Sequence, residues 1–308
     1  MTGGRPPIRL RTLRGQARII SIGLLVVTTA PALISAVVAA RRGWLPVGDN
    51  ALIGLRISEV LRGHLPLIGQ PSASQVVGAG PPTSHPGPIE FYLFTPFAAL
   101  FGVRAALVLG AAGVNGAAMA GTTWVALRRG GLVAMGLASI VVLLVARSLS
   151  GNALHDPISS SIGTLPTLLL AFLAWSVTAG DDALLPLLVL VATFVMQDHL
   201  VYLALGGPLV VWAVGTVAWR RRHGAPRRPS PWTRPILAVV ALAWLPVVVQ
   251  ELVGHPGNLT ALAQTFTHVN PAHHGASGGR LSFAIGRLAY SMAPPTLLRP
   301  LADTSYLT

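Results

Sequence analysis

The sequence contains no cysteine and no lysine, and only 10% of its 308 residues are charged. Without cysteine, the chain has no disulfides, no thiolate nucleophiles and no cysteine-based zinc site. A soluble globular domain carries about 25% charged residues, so this composition argues against one. Instead, 52% of the residues are hydrophobic and the mean hydropathy is +0.64. These values are typical of a protein built from transmembrane helices.

Long uncharged runs predict how many times the chain crosses a membrane. A spanning helix needs roughly 17–25 apolar residues. The runs that approach or exceed this length lie at 19–40, 105–127, 130–146, 157–180, 183–197, 200–219 and 235–250. We therefore predict an all-α, polytopic transmembrane helix bundle of about seven spans. The short apolar run 91–103 is predicted to be an interfacial helix.

The positions of the charged residues predict the orientation. The formal net charge is +13, and all 22 basic residues are arginine. If the N-terminus is cytoplasmic, 13 of these arginines fall in the inner segments, as the positive-inside rule requires. The excess charge then serves orientation, and nucleic acid is not an expected partner. We predict a multi-pass plasma-membrane protein whose active face points outward.

The expected organisation is a single membrane-embedded domain over 1–308. Its first outer loop is 41–104, and 251–308 forms a C-terminal outer loop or partial helix. Seven of the nine acidic residues fall on the outer side in this topology. Ionisable groups near the membrane are functional suspects, so the outer side is where we expect the chemistry.

Two outer segments carry aspartates at helix boundaries. Asp49 lies in Gly48-Asp49-Asn50, just after the first predicted span, and a helix N-cap is its alternative interpretation. Asp156 follows His155 before the fourth predicted span. A third segment, Gln197-Asp198-His199, joins two predicted spans. The run HPGPIEFYLFTPFAALFG begins at His85 and contains Glu90, and an aromatic membrane anchor is the alternative for its helix.

These motifs resemble those of the GT-C superfamily of polytopic glycosyltransferases. The superfamily includes the protein O-mannosyltransferases, the lipid A aminoarabinose transferases and the actinobacterial arabinofuranosyltransferases. The resemblance covers roughly 19–260. Its most specific parts are Gly48-Asp49, Pro66-Leu67-Ile68-Gly69 and HPGPIEFYLFTP. The chain departs from the pattern at Asn50, where many relatives carry a second acid.

The resemblance implies an inverting transferase that moves a sugar from a polyprenyl-phosphate donor to a cell-envelope glycan, lipid or protein on the outer face. It implies Asp49 as the base that deprotonates the acceptor hydroxyl. Asp156 is a second catalytic candidate, for positioning the acceptor or holding a divalent cation. We assign substrate binding to His85, Gln197, Asp198, His199, Arg56 and Glu90. For Arg56, a solvated helix face is the alternative.

Two other functions stay open. One is a transporter or flippase of lipid-linked substrates, and the other is a non-catalytic membrane scaffold derived from a GT-C enzyme. Members of the superfamily usually continue with several more helices, whereas this chain ends at Thr308. We therefore expect a truncated or shortened form, or a second chain that supplies the remaining helices.

Overall fold

The computed structural model describes residues 8–72, 81–149, 152–224 and 230–267, and this part of the protein is built from helices. The helices are α1 (Ile8–Arg41), α2 (Asp49–Leu61), α3 (Ile89–Phe101), α4 (Val103–Ser148), α5 (Ser159–Ile162), α6 (Thr164–Thr178), α7 (Leu185–Asp198), α8 (Leu200–Arg222), α9 (Thr233–Val253) and α10 (Asn258–Thr267). A 3-10 turn, Asp182–Leu184, precedes α7. The predicted all-α class is confirmed for these residues. The predicted C-terminal element 251–308 lies largely outside them.

Five helical segments in the described residues are long and apolar enough to cross a membrane. They are Gly15–Arg41, Val103–Ser148, Ser159–Thr178, Leu200–Arg222 and Thr233–Val253. The predicted count was seven. The difference arises because the runs 105–127 and 130–146 are two helices, separated by a kink, that are counted together as α4, and because the run 183–197 forms α7, which has only 14 residues. The run 91–103 corresponds to the short apolar helix α3.

Helix α4 is broken at a pair of glycines. Gly130 and Gly131 have non-helical backbone angles, and Gly131 has a φ of +67°, which glycine adopts without a Cβ clash. A straight helix of 46 residues would be about 69 Å long, more than twice the thickness of a bilayer core. Asn115, before the break, donates to the carbonyls of Ala153 and Leu154 at 3.3 and 3.2 Å. The chain therefore reverses at the glycine pair.

The described residues form three clusters of buried apolar side chains, the smallest of which joins α1 to α4 through Ala36, Ala39, Val108 and Ala112. The largest cluster joins α4, α6, α7 and α8 and includes Met119, Val142, Leu170, Leu173 and Leu188. A smaller cluster holds α2 and α3 against the first half of α4 and includes Ile53, Ile57, Phe91, Phe94 and Leu107. The two short helices are thereby fixed to the bundle.

One end of the bundle is tied by arginine–carboxylate pairs, and we call it the arginine end. Arg128 binds Asp181 through two hydrogen bonds of 2.5 and 3.0 Å. Arg220, near the end of α8, binds Asp182 and donates to the carbonyl of Thr178 at 2.6 Å. These contacts bring together the break in α4, the connection between α6 and α7, and the end of α8. The sequence assigns all three segments to the inner side.

The candidate site lies at the opposite end of the bundle. Helix α7 begins beside Asp182 at the arginine end and ends at Asp198. Helix α8 starts directly after His199 and returns to Arg220. Helices α7 and α8 run in opposite directions, and their length separates the arginine end from the Gln197-Asp198-His199 segment.

Candidate functional site

The loop that leads into α3 is fixed through its backbone. His85 donates its N–H to the carbonyl of Gln70 at 2.7 Å, and Gly69 donates to the carbonyl of His85 at 3.1 Å. On the other side, the buried amide of Asn258 accepts from the N–H of Ser84 at 2.9 Å and donates to the carbonyl of Ser84 at 3.1 Å. These hydrogen bonds hold His85 in one position at the start of the HPGPIE sequence.

Gln197 connects this loop to two helices. The N–H of Gly87 donates to the carbonyl of Gln197 at 3.1 Å. The side-chain amide of Gln197 donates to the carbonyl of Ala243 in α9 at 3.0 Å. The side chain is fully buried, and its Oε1 atom has no hydrogen-bond partner. Gln197 therefore fixes the end of α7 and keeps one acceptor free.

His85 and His199 meet with ring centroids 4.3 Å apart. Burial and the neighbouring charge of His199 lower the pKa of His85 to about 4, and burial also lowers the pKa of His199. His199 Nδ1 accepts the N–H of Val201 at 3.2 Å at the start of α8, whereas His85 Nδ1 has no partner. Both rings are neutral near pH 7, so they suit hydroxyl binding better than charge attraction to phosphate.

Glu90 and Asp198 form a buried pair of acids. Glu90 lies in the first turn of α3 and Asp198 ends α7, and they are only 4% and 3% exposed. Their carboxyl groups lie within hydrogen-bonding reach of each other. Burial raises the pKa of Glu90 well above its ordinary value, and the charges of Asp198 and Asp156 raise it further. Both carboxyl oxygens of Asp198 and Oε1 of Glu90 have no hydrogen-bond donor.

The segment with His155 and Asp156 also reaches this region. Asp156 Oδ1 accepts the N–H of Ile158 at 3.2 Å, and its charge acts on Glu90. His155 Nδ1 is hydrogen-bonded to the hydroxyl of Ser35 on α1 at 2.6 Å. The fold therefore brings together residues that the sequence places in three separate segments. We call this set the polar cluster: His85, Glu90, Asp156, Gln197, Asp198 and His199.

Asp49 lies at the edge of this region. It is the first residue of α2 and is exposed, and the N-cap position belongs to Gly48, which has a φ of +55°. The alternative interpretation of Asp49 as the N-cap is thus not what the structure shows. Gln70 connects it to the polar cluster, because its side chain donates to the carbonyl of Asp49 at 3.0 Å while its own carbonyl accepts from His85.

Arg56 lies on α2 and pairs with Glu59 at 2.8 Å, and the two side chains are 41% and 42% exposed. Such a pair, three residues apart, is typical of a solvated helix face and contributes little to stability. The structure gives Arg56 this surface pairing. Its assignment to substrate binding stays a prediction.

Tyr202 was missed in the sequence. Its hydroxyl donates to the carbonyl of Ser160 at 2.7 Å and is hydrogen-bonded to Thr164 at 2.9 Å. Its ring lies 5.9 Å from that of His199. The sequence signal that could have identified Tyr202 was its position three residues after His199, since residues three apart share a helix face. Tyr202 fixes the start of α8 against the segment that follows Asp156.

An apolar cavity of about 700 Å³ adjoins the polar cluster. It lies between α3, α4, α6, α7 and α9, and its lining includes Ile89, Tyr92, Val114, Leu169, Leu187, Val191, Phe194, Val239, Leu242 and Ala243. Ile89 precedes Glu90, Phe194 lies one turn before Asp198, and Ala243 accepts the hydrogen bond from Gln197. The cavity is therefore lined by residues that are next to, or hydrogen-bonded to, members of the polar cluster, and not by the cluster itself.

Within the described ranges, no group of three or more His, Asp or Glu residues is arranged to hold a metal ion. No family model, curated protein or solved structure matches the chain. The resemblance to the GT-C superfamily therefore rests on the sequence motifs alone.

Proposed function

We propose that the chain is a membrane glycosyltransferase that moves a sugar from a polyprenyl-phosphate donor to a cell-envelope acceptor. The observation that carries this proposal is the apolar cavity beside the polar cluster. A lipid-linked sugar has a long apolar chain joined to a polar phosphate and sugar. Ile89 and Glu90 are consecutive residues that border the cavity and the polar cluster, respectively. A lipid-linked substrate would fill both regions at once.

The proposed orientation places the polar cluster on the outer side of the plasma membrane. The arginine end lies at the other end of α7 and α8 and includes Arg128, Arg129 and Arg220. Because arginine-rich short loops remain cytoplasmic, this end would face the cytoplasm. A polyprenyl phosphate on the outer leaflet would then have its head group near the polar cluster.

In the proposed reaction, an acceptor hydroxyl oxygen attacks the anomeric carbon of the donor sugar. The bond between that carbon and the phosphate oxygen breaks, and polyprenyl phosphate leaves with the electron pair. A base takes the hydroxyl proton. Asp49 is the proposed base because its carboxylate is exposed and it is joined to His85 through Gln70. Direct attack on the face opposite the leaving group inverts the anomeric carbon.

The neutral rings of His85 and His199 would bind sugar hydroxyls, since each neutral imidazole has one donor and one acceptor. Gln197 Oε1 offers a further acceptor. Asp156 would position the acceptor hydroxyl or hold a divalent cation.

The test is transfer of a radiolabelled sugar from polyprenyl phosphate by the purified full chain in lipid nanodiscs. Asp49→Asn is expected to lower the rate by about 10²–10⁴-fold, the usual contribution of a general base. Glu59→Gln is the matched control, because Glu59 is an exposed acid on the same helix. Undiminished transfer by Asp49→Asn contradicts the base assignment. If the wild type transfers no sugar from any of the donors, the proposed enzymatic function is contradicted.

A transporter or flippase of lipid-linked substrates is the second candidate. The observation that favours it is the buried pair of Glu90 and Asp198, since ionisable groups buried in a membrane bundle often mark a path for ions or substrates. Liposomes with a fluorescent lipid-linked sugar separate the two functions. Movement of the lipid between leaflets without sugar transfer supports the transporter, and transfer supports the enzyme. If neither activity is detected, the non-catalytic scaffold is the remaining candidate function.

A further inference from the structure

Glu90 and Asp198 are the two most enclosed acids of the polar cluster. They come from different helices, and the Gly87–Gln197 contact brings α3 and α7 together beside them. Their carboxyl groups are within hydrogen-bonding reach. In the ionised form neither group has a proton to donate, so the contact is a hydrogen bond only when a proton lies between them.

Among the described residues, no positively charged side chain pairs with either carboxylate. In the described residues the salt bridges are Arg56–Glu59, Arg128–Asp181 and Arg220–Asp182, and none involves this pair. Two negative charges within hydrogen-bonding reach repel each other strongly where the effective dielectric constant is far below that of water. Loss of hydration adds to this cost for each buried charge. Two ionised carboxylates therefore do not persist here without a positively charged partner.

The neighbouring titratable groups strengthen this conclusion. Asp156 adds a third negative charge that acts on Glu90, and Tyr202 on α8 interacts electrostatically with Asp198. His199 follows Asp198 directly, and its ring contacts His85. Both rings are held in their neutral form by burial. The described titratable groups around the pair are therefore either negatively charged or neutral.

We infer that Glu90 and Asp198 form a proton-binding site in which the two carboxyl groups share one proton. The proton gives one carboxyl an O–H that donates to an oxygen of the other, which provides a partner for oxygens that otherwise have none. The alternative occupant is a metal cation. The described residues place no third His, Asp or Glu to complete a ligand set, so the proton is the occupant that this geometry favours.

This site does not depend on the proposed function. A glycosyltransferase would use it as an acid–base group close to its substrate, and a transporter would use it to bind and release a proton. The proton belongs to the pair, because two strongly interacting carboxyls titrate as one unit. Replacing either acid by its amide leaves the other acid buried but without a negative neighbour, so the remaining proton is lost at a lower pH than the shared proton of the pair.

The first experiment uses dicyclohexylcarbodiimide, which reacts with protonated carboxyl groups in apolar surroundings. The carboxyl proton moves to a carbodiimide nitrogen and the carboxylate oxygen bonds to its central carbon. An oxygen-to-nitrogen acyl shift then gives a stable N-acylurea with no leaving group. The full chain in detergent is treated at pH 7, and adducts are located by mass spectrometry. The apolar cavity provides a route for the reagent, since Ile89 borders it.

We expect an adduct on Glu90 or Asp198 and none on the exposed acids Asp49 and Glu59. In Glu90→Gln and Asp198→Asn the remaining acid stays buried and should still be labelled at low pH, but its labelling should be lost at a lower pH than in the wild type, because the negative partner that retained the shared proton is gone. Labelling should also fall as the pH is raised, as the shared proton is lost. The same pH dependence of labelling in the wild type and in both single variants contradicts the shared proton.

Infrared spectroscopy provides a measurement that needs no reagent access. We expect the carbonyl stretch of a protonated carboxyl at pH 7 in the wild type, and its complete loss in the double variant Glu90→Gln/Asp198→Asn, in which neither acid remains. The metal alternative is tested by thermal unfolding with Mn²⁺, Ca²⁺ or EDTA. If the wild type shows no protonated carboxyl band, and Mn²⁺ or Ca²⁺ raises its unfolding temperature but not that of Asp198→Asn, the inference is wrong and the pair binds a metal.

Discussion

Gly87 donates its backbone N–H to the carbonyl oxygen of Gln197 at 3.1 Å, and a Cβ atom at Gly87 would lie 2.2 Å from Oε1 of Gln197. No side chain other than that of glycine fits this contact without displacing Gln197. The close approach brings the start of α3 against the end of α7. The contacts of His85 with His199 and of Glu90 with Asp198 both depend on this arrangement.

The first prediction concerns this contact. Gly87→Ala is expected to destabilise the protein by about 1–3 kcal/mol, because overpacking at a buried contact forces neighbouring side chains to shift. The measurement is the thermal unfolding midpoint of the purified chain in detergent. Gly113→Ala is the matched control, since Gly113 lies in α4 with open space around the added methyl group. Equal midpoints for wild type and Gly87→Ala would show that the contact is not tight.

The second prediction concerns pH. Burial lowers the pKa of His85 from 6.5 to about 4. Between these values the unfolded chain binds a proton at position 85 that the folded protein does not. Stability is therefore lost as the pH falls from about 6.5 to about 4, by up to about 3 kcal/mol, and above pH 6.5 the effect vanishes.

The measurement compares unfolding midpoints at pH 7 and pH 5 for three proteins. His85→Gln should lose less stability on acidification than the wild type, because it lacks this proton linkage. His64→Gln, which changes an exposed histidine, should respond as the wild type does. Identical pH responses of His85→Gln and the wild type would contradict the prediction.

The third prediction concerns the arginine end. Arg220→Ala leaves Asp182, whose side chain is only 6% exposed, without its cation. It also removes the donor to the carbonyls of Val177 and Thr178. We expect a loss of about 3 kcal/mol, since a buried charge without a partner is strongly destabilising.

The control is the neighbouring residue on the same helix. Arg221 is exposed, so Arg221→Ala should change stability by less than about 0.5 kcal/mol. Both variants remove one positive charge from the same end, so any general effect of net charge cancels. If the two variants unfold at the same temperature, the Arg220–Asp182 pair makes no specific contribution to stability.

Several features of the site were predicted from sequence, and others were not. The motifs that contain His85, Asp156 and Gln197 were singled out because polar residues at helix boundaries are rare in so apolar a chain. Tyr202 was missed because an aromatic residue inside an apolar helix resembles a packing residue. The burial of Glu90 was also not predicted, since an acid in the first turn of a helix is usually solvated.

The sequence by itself determined that the chain is helical and apolar enough to cross a membrane. Both properties follow from composition and run length, which depend only on local residue content. The number of separate helices was decided by the tertiary structure. Gly130 and Gly131 divide α4 into two helices at a reversal, and the short α7 is stabilised by packing against its neighbours.

The tertiary structure alone decided which polar residues meet. Glu90 and Asp198 are 108 positions apart in the chain, so no local pattern relates them. Their contact depends on helix packing and on the missing side chain at Gly87. The same packing leaves Asp49 exposed at the edge of the polar cluster while it encloses Glu90 and Asp198. Burial, which sets the protonation of these acids, is a property of the folded bundle and not of the sequence around each residue.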